Sequence, residues 1–407
     1  MSVLNKPIKV LVYVESFPAI SETFVRDHIV GLIDEGCDVR ILTAKYLNNP
    51  IALKDYSQYN LDKITDVKAN IYHSSKVKRT VSFCLSIYKL FFSSHRKALR
   101  VTLNQKIFNR AAKNLSAFFI ADYLYKEDFD IVHCHFGPAG NEMSLYRKVL
   151  KSFKLYVTFH GYDIRLGIKN PQYYKDYLEN IDRVISISNY NKKNLLNFGF
   201  QESQILDIPN GINTSFFKCK EPYSLSNETL NFLSVGRLVK IKGFDVAIKA
   251  ISRLKRENSK IKFTYNIIGS GAEKENLNDL LIAERLDEHV FLLGAKSRKV
   301  IKNYMCDSQI FILSSLEEAL PTVLLEAQAC GLPILSTNVG SVKRMLIKEA
   351  IVVKSNDVDS LYEGIKNIVD KKEQWSILSS KGIRNIEENF NLKKNILLLI
   401  EAYKKPL

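Results

Sequence analysis

The chain has 407 residues, 46% of them apolar, with only 17 Gly and 10 Pro; it is too long for one ordinary core and suits two packed domains rather than a disordered or low-complexity polymer. Its 59 Lys and Arg against 43 Asp and Glu leave a net charge of +16, and its six Cys stand far apart with no C-x-x-C pair. Neither a disulfide framework nor a zinc ribbon is expected, and reduced, mostly buried thiols in a cytoplasmic protein are.

In chain order, the apolar run over 8–14 is too short for a secretory signal and reads as a strand. A helix is expected over 22–35, with Ser21 as its N-cap, Phe24, Ile29 and Ile33 at helical spacing, and Gly36 as its stop. Between Asp66 and Asp122 there is no acidic residue, while bases recur from Lys68 to Lys113 among Val81, Phe83, Leu85, Ile87, Tyr88, Leu90, Phe91 and Phe92. That mixture over 68–113 suits an interfacial helix on anionic lipid; the alternative is a helix with its apolar face in the core and its bases solvated. Nucleic acid is not the expected partner, since no helix-turn-helix, zinc-finger, RRM or KH pattern accompanies the charge. The longest apolar stretch, 81–92, carries Ser82, Ser86 and Lys89 and falls short of the ~20 residues of a spanning helix, so a soluble or peripheral protein is expected.

Further strands are expected over 131–135, 156–159, 184–187 and 205–208, after an earlier one at 39–43. Past a polar linker around 218–227 the pattern restarts, with strands at 231–235, 263–268, 290–293, 310–313, 333–336 and 350–353, and a long charged helical segment from about 371. Short strands alternating with helices mark βαβ units, and the restart implies two α/β doubly wound parallel sheets facing an interdomain cleft at their strands' carboxyl ends.

The residues with chemistry cluster where those strands end. Gly236-Arg237 through Lys242-Gly243 puts a forked guanidinium and a compact ammonium in a glycine-bounded loop, a set suited to a diphosphate, although two surface bases would look the same. Ile268-Gly269-Ser270-Gly271 could bring backbone N–H groups to a ligand, but lacks the third glycine of a dinucleotide fingerprint. Glu318 and Glu326 are separated by seven residues with Pro321 between, which fits the first helical position and leaves Glu318 in the loop and Glu326 inside the helix. Such carboxylates accept hydrogen bonds from vicinal hydroxyls of ribose or hexose, and the helix start between them suits a phosphate. His133 and His135 are expected on opposite faces of their strand, which argues against a two-histidine metal site, with His135 nearer the cleft. Asp163 either orients His160 or caps the following turn.

These strings, with Ile208-Pro-Asn210-Gly211 and Gly331-Leu-Pro333, resemble the GT-B glycosyltransferases of family 4 (glycosyl transferases group 1) over essentially the whole chain. Phe17-Pro18-Ala-Ile-Ser21-Glu22-Thr23-Phe24, His133-Cys-His135-Phe136-Gly137 and Thr158-Phe-His160-Gly161-Tyr-Asp163 are similar to the branch that builds bacterial exopolysaccharides such as colanic acid and amylovoran. The resemblance implies a Rossmann-like acceptor domain over 1–210, a Rossmann-like nucleotide-sugar domain over 211–385, and a terminal helix over 386–407 packing back on the first. It further implies transfer with retention from a nucleotide-sugar donor to a saccharide, lipid-linked acceptor at the inner face of the cell membrane, with neither cofactor nor metal.

By the same resemblance, Arg237 and Lys242 hold the donor diphosphate, Glu326 the ribose hydroxyls and Glu318 the transferred sugar. Gly269, Gly271, Ala319, Leu320, Pro321, Thr322 and Val323 are the other donor-binding candidates. Ser21, Glu22, Thr23, His135, His160 and Asp163 form the acceptor side, with His160 near the reacting sugar and counted as catalytic beside Glu318, Arg237 and Lys242. Three strings depart from the family: Ser21-Glu22-Thr23 replaces a glycine-rich first loop, Ala319 stands where Gly is usual, and Gly340-Ser-Val-Lys-Arg344 replaces Gly-Gly-x-x-Glu. Two rival readings are a dinucleotide-dependent oxidoreductase, disfavoured by the missing glycine fingerprint, and a non-catalytic polysaccharide- or lipid-binding protein on the same scaffold.

Overall fold

The computed structural model describes residues 6–219, 229–258, 260–318 and 320–406. The chain divides into two compact units, one running to Ile208 and taking in the chain again from Ile396, the other spanning Pro209–Asn395.

The first unit is built on seven parallel strands: β1 (Lys9–Phe17), β2 (Asp38–Tyr46), β3 (Thr65–Val67), β4 (Ile131–His135), β5 (Lys154–Phe159), β6 (Arg183–Ser186) and β7 (Ile205–Asp207), in the order β3-β2-β1-β4-β5-β6-β7. Val10 through Val14 are buried without alternation, as a strand covered by helices on both faces requires. The helix after β1 covers Thr23–Asp34, and its N-cap is Glu22 rather than Ser21, with no side-chain cap bond. Its end is a Schellman turn: Gly36, at φ +83°, donates to Ile33 O and Cys37 donates to Leu32 O, so a residue tolerant of left-handed backbone is needed there.

The basic segment folds into short helices, Lys68–Ile71, Lys76–Ser86, Lys89–Phe92, Arg96–Val101 and Gln105–Lys113, ahead of a longer one at Ser116–Glu127. Two of its bases pair with carboxylates, and a third, on the surface, donates to the backbone. Lys68 pairs with Glu142, Lys89 lies 2.6 Å from Asp122, and Arg100 Nε donates to Leu90 O. Phe83 against Phe118 and the buried Leu90 anchor the segment to the core. Lys76, Lys78, Arg96 and Lys97 are exposed, beside exposed Val77, Val81, Leu85, Tyr88 and Phe92.

In the second unit six parallel strands, β8 (Leu230–Val235), β9 (Phe263–Ile268), β10 (Val290–Leu292), β11 (Ile310–Leu313), β12 (Ile334–Thr337) and β13 (Ile351–Val353), lie in the order β10-β9-β8-β11-β12-β13. In both sheets the first strand in sequence is central and the order reverses beside it, between β1 and β4 and between β8 and β11. Doubly wound sheets bind ligands at the carboxyl ends of such a pair. Cys219 and Cys306 are joined in a disulfide, against the expectation of reduced thiols; 87 residues separate them, and the fold brings their Cα atoms to 5.6 Å, a distance a bridge can span.

The helix Leu392–Lys404 returns the end of the chain to the first unit. Tyr403 hydrogen-bonds His133, and Lys154 Nζ donates to Tyr403 O at 2.9 Å. Gly31 gives Ile396 room: a Cβ on Gly31 would stand 2.7 Å from Ile396 Cγ1. Gly31→Val is therefore expected to destabilise the protein by roughly 1–3 kcal/mol through overpacking, read as a lowered midpoint in thermal unfolding; an unchanged midpoint would show that the helix seats differently.

Candidate active site

In the second unit the reversal point is closed by two interlocked loops. The loop after β8 and the loop after β11 exchange backbone and side-chain bonds: Leu316 N donates to Ile241 O at 2.8 Å, and Ser314 Oγ to Lys242 O at 2.9 Å. Gly243 sits at φ +58°, and a Cβ on it would lie 2.3 Å from Ser314 O, so the close approach requires glycine twice over. This contact sets Lys242 and Glu318 face to face, Nζ to Oε1 at 2.5 Å, with Ser315 Oγ donating to the same carboxylate oxygen at 2.7 Å. Arg237 is exposed at the head of the same loop.

Gly269 and Gly271 have a packing task. A Cβ on Gly269 would fall 1.7 Å from Gly236 O and one on Gly271 2.2 Å from Leu238 O, while Leu238 N donates to Ser270 O. The G-x-G string thus lets the loop after β9 lie against the Arg237 loop. Glu326 is buried within the helix Thr322–Ala329. Pro321 lies one residue ahead of that helix, as its N-cap at ψ 98°, rather than at the first helical position expected for it. Pro321 is buried and Leu320, Thr322 and Val323 are half-buried; Ala319 lies outside the described residues. Burial, with the Glu326 carboxylate nearby, pushes the Cys330 thiol up to about 12.

In the first unit the acceptor-side residues also end strands. Ser21, Glu22 and Thr23 follow β1, where Arg26 holds the preceding turn by donating to Ala19 O and Ile20 O. His135 ends β4, and His160 follows β5. Asp163 holds the His160 peptide and does not cap the next helix, whose N-cap is Gly161 with no side-chain cap bond. Its carboxylate accepts from His160 N at 2.9 and 3.0 Å and from Gly137 N at 3.0 Å, and, within the first turn of the helix Tyr162–Lys169, from Ile164 N. Asn191, wholly buried, donates to Phe159 O and His160 O and fixes the same peptide from the other side.

The His160 ring is held by other groups. Its Nε2 lies 3.0 Å from His135 Nδ1, and its face is 4.3 Å from the Phe24 ring and 4.7 Å from the Phe136 ring. Phe136 adopts φ +71° and ψ 139°, a conformation costly for a side-chain-bearing residue, where β4 turns toward this cluster. His133 and His135 share one face, contrary to the expectation of opposite faces: they are two residues apart, the period of strand alternation, and their rings lie 5.4 Å apart. His28, from the helix after β1, joins them through Nδ1 at 2.8 Å from His135 Nε2. His28, His133 and His135 bring nitrogens within 4.8 Å of one another, a metal-like spacing, but His133 already uses both nitrogens, on Thr158 and Tyr403. Sequence reasoning passed over His28 and Asn191, which stand in helices with no local motif; Phe24 and Phe136 lay inside strings already quoted.

The description "Glycosyltransferase Family 4" matches residues 21–216, and "Glycosyl transferases group 1" matches residues 217–385. WcaL of Escherichia coli K12, assigned to colanic acid biosynthesis as a glycosyltransferase, is 26% identical over 97% of this chain and 100% of its own. AmsK of Erwinia amylovora, an amylovoran biosynthesis glycosyltransferase, is 28% identical over 83% of this chain and 84% of its own. Among solved structures, HepE of Anabaena in complex with UDP-glucose superposes with a TM-score of 0.71 over 97% of this chain and all (100%) of its own at 13% identity. A sucrose-phosphate synthase of Thermosynechococcus elongatus gives 0.72 over 98% of each chain at 18% identity. At such identities the likeness speaks for the fold, which is GT-B.

The buried histidines make the first unit acid-labile. Burial holds His28 and His160 down at about 3, against 6.5 for a free imidazole, and lowers His133 and His135 as well. The unfolded chain therefore takes up protons below about pH 6.5 that the folded unit refuses, so stability is complete above that pH and falls as acid is added. Asp163, pushed up to about 6 by burial, acts in the opposite sense between pH 6 and 4, one group against four. A net loss of about 1.4 kcal/mol per pH unit for each uncompensated histidine is expected below pH ~6.5. Urea melts across that range check it, and a flat profile would contradict a neutral imidazole cluster.

Proposed function

The chain belongs to the glycosyltransferases of family 4, and from that premise we propose that it moves a sugar from a nucleotide-sugar donor to a saccharide acceptor, with retention, during synthesis of a bacterial surface polysaccharide. The observation that carries the reading is the Lys242–Glu318 pair at the reversal point of the second sheet, with Arg237 in the same loop. An arriving diphosphate competes for Lys242 and gains a forked contact from Arg237. Once Lys242 turns to phosphate, the Glu318 carboxylate is released to accept hydrogen bonds from the hydroxyls of the transferred sugar. In this reading the ion pair is a cation and an anion pre-set for two parts of one ligand.

As the glycosidic bond to the donor breaks, negative charge grows on the departing diphosphate, and the two cations meet it with no metal in the scheme. Glu326 takes the ribose hydroxyls, and the residues around Gly269, Gly271 and 319–323 line the donor's remaining surface. In the first unit His160, backed by Asp163 and His135, faces the reacting sugar, and Ser21–Thr23 lie on the acceptor side. The UDP-glucose held by HepE and the polysaccharide assignments of WcaL and AmsK support the substrate class. Glu318→Ala is expected to lower kcat by about 10²–10³, the scale for one preorganised charge partner, and Glu326→Ala to raise the donor KM about tenfold with kcat nearly kept. Steady-state rates on the nucleotide sugar that gives the largest thermal shift check both; full activity in both variants defeats the assignment.

The acceptor in this reading is lipid-linked, and the protein works peripherally at the inner face of the cell membrane. Among the described residues no helix is long and apolar enough to cross a membrane. The helix Lys76–Ser86 nonetheless turns Val77, Val81 and Leu85 to solvent, Leu85 being 75% exposed, and Phe92 beyond it is 82% exposed. The same helix packs on the core through Phe83, so this stripe lies on the face the core leaves uncovered. With exposed bases alongside, an anionic bilayer supplies both the apolar layer and the counter-charge. Co-sedimentation with vesicles containing anionic lipid is expected for the unmodified chain and to be largely lost in Leu85→Asp with Phe92→Asp; binding that ignores lipid charge and these substitutions rejects this surface.

A further inference from the structure

Placing His160 at the sugar leaves His28 and His135 without a task. His28 projects from the helix Thr23–Asp34, His135 ends β4 and His160 follows β5. Their nitrogens form one line, His28 Nδ1 to His135 Nε2 at 2.8 Å and His135 Nδ1 to His160 Nε2 at 3.0 Å. At its two ends, His28 Nε2 and His160 Nδ1 are buried without a hydrogen-bond partner among the described residues.

An uncharged imidazole has one N–H and one bare nitrogen, and each contact in the line needs one of each. A proton on His28 Nε2 combined with one on His135 Nδ1 would set two lone pairs against each other across 2.8 Å. Only two concordant arrangements remain. With all three protons on Nδ1, His160 presents an N–H; with all three on Nε2, it presents a bare nitrogen. The rings therefore hold their tautomers in common. Phe24 and Phe136 already fix the plane of the His160 ring, so its tautomer is the freedom left to set.

We propose that His28 and His135 are positioning residues which, through this line of hydrogen bonds, fix the tautomer of His160, and so whether its Nδ1 carries a proton or a lone pair. The proposal rests on the assignment of His160 to the reacting sugar, and its test separates the two. Nitrogen–proton correlation spectra of the histidines in the free, full-length chain read the coupling without any substrate. All three rings are expected neutral near pH 7, and His28→Phe, which keeps a ring and removes Nδ1, is expected to shift the His160 nitrogens. The same variant should lower kcat about tenfold with donor KM held within about twofold, and His28→Asn, whose amide can stand where Nδ1 stood, should recover most of that loss.

An imidazolium signal from any of the three in the unmodified chain overturns the line, as does a His160 spectrum indifferent to His28→Phe; neither result needs activity, and the first needs no variant to fold. Equal losses in His28→Phe and His28→Asn overturn positioning in favour of packing. A coupled spectrum in a chain that transfers no sugar upholds the line and removes His160 from the transfer step.

Discussion

Where β8 and β11 lie side by side the strand order reverses, and the chain leaves their carboxyl ends toward opposite faces of the sheet. Backbone groups left there need partners. Here the two loops and the end of β12 supply them: Leu316 N reaches Ile241 O, Ser314 Oγ reaches Lys242 O, and Thr337 Oγ1 reaches Ser315 O. Gly243 makes the approach sterically allowed, since any Cβ would strike Ser314 O. The Lys242–Glu318 pair follows from that backbone closure rather than causing it. Two half-buried side chains of opposite charge are thereby held at the carboxyl ends of the two strands, without needing a strong net contribution of their own to stability.

The first unit solves the corresponding problem between β1 and β4 with buried imidazoles. Burying a polar ring is costly unless its nitrogens are matched, and the structure matches most of them: His133 with Thr158 and Tyr403, His135 with His28 and His160. The unmatched nitrogens fall at the two ends of the line. Backbone control is separate from ring control, because Asp163 and Asn191 bind the His160 peptide while His135, Phe24 and Phe136 bind its ring. A terminal helix from a distant part of the chain contributes Tyr403 to the same cluster, so the end of the sequence helps to set the chemistry at its beginning.

What could be read from the sequence tracks how local each signal is. β1 announces itself by five consecutive buried apolar residues, and in the second sheet β11 does so with four, Ile310–Leu313. β3, three half-buried residues with Asp66 at their centre, carries no such run and escaped notice. The acid pair at 318 and 326 and the bases at 237 and 242 were legible as a set, because a loop, a proline and a helix start are adjacent in sequence. That Lys242 and Glu318 meet was not, because their meeting depends on two strands paired across 76 residues. The disulfide between Cys219 and Cys306 and the partnership of His28 with His135 are invisible for the same reason. The misassigned faces of His133 and His135 had a different origin: strand alternation itself places residues two apart together.

The charge excess of the segment after β3 divides in two once folded, and the division separates structural bases from interfacial ones. Lys68 and Lys89 pair with the carboxylates of Glu142 and Asp122, so their charge is spent inside the unit, while the exposed Arg100 donates to Leu90 O. Lys76, Lys78, Arg96 and Lys97 stay in water, and the apolar residues that stay with them sit one helical turn apart, at 77, 81 and 85. Core packing alone does not call for either feature. A helix that only had to cover the sheet would have turned Leu85 inward and left its outer face polar. An apolar stripe bounded by unpaired cations is instead what a surface must present if it is to be covered by something both greasy and anionic.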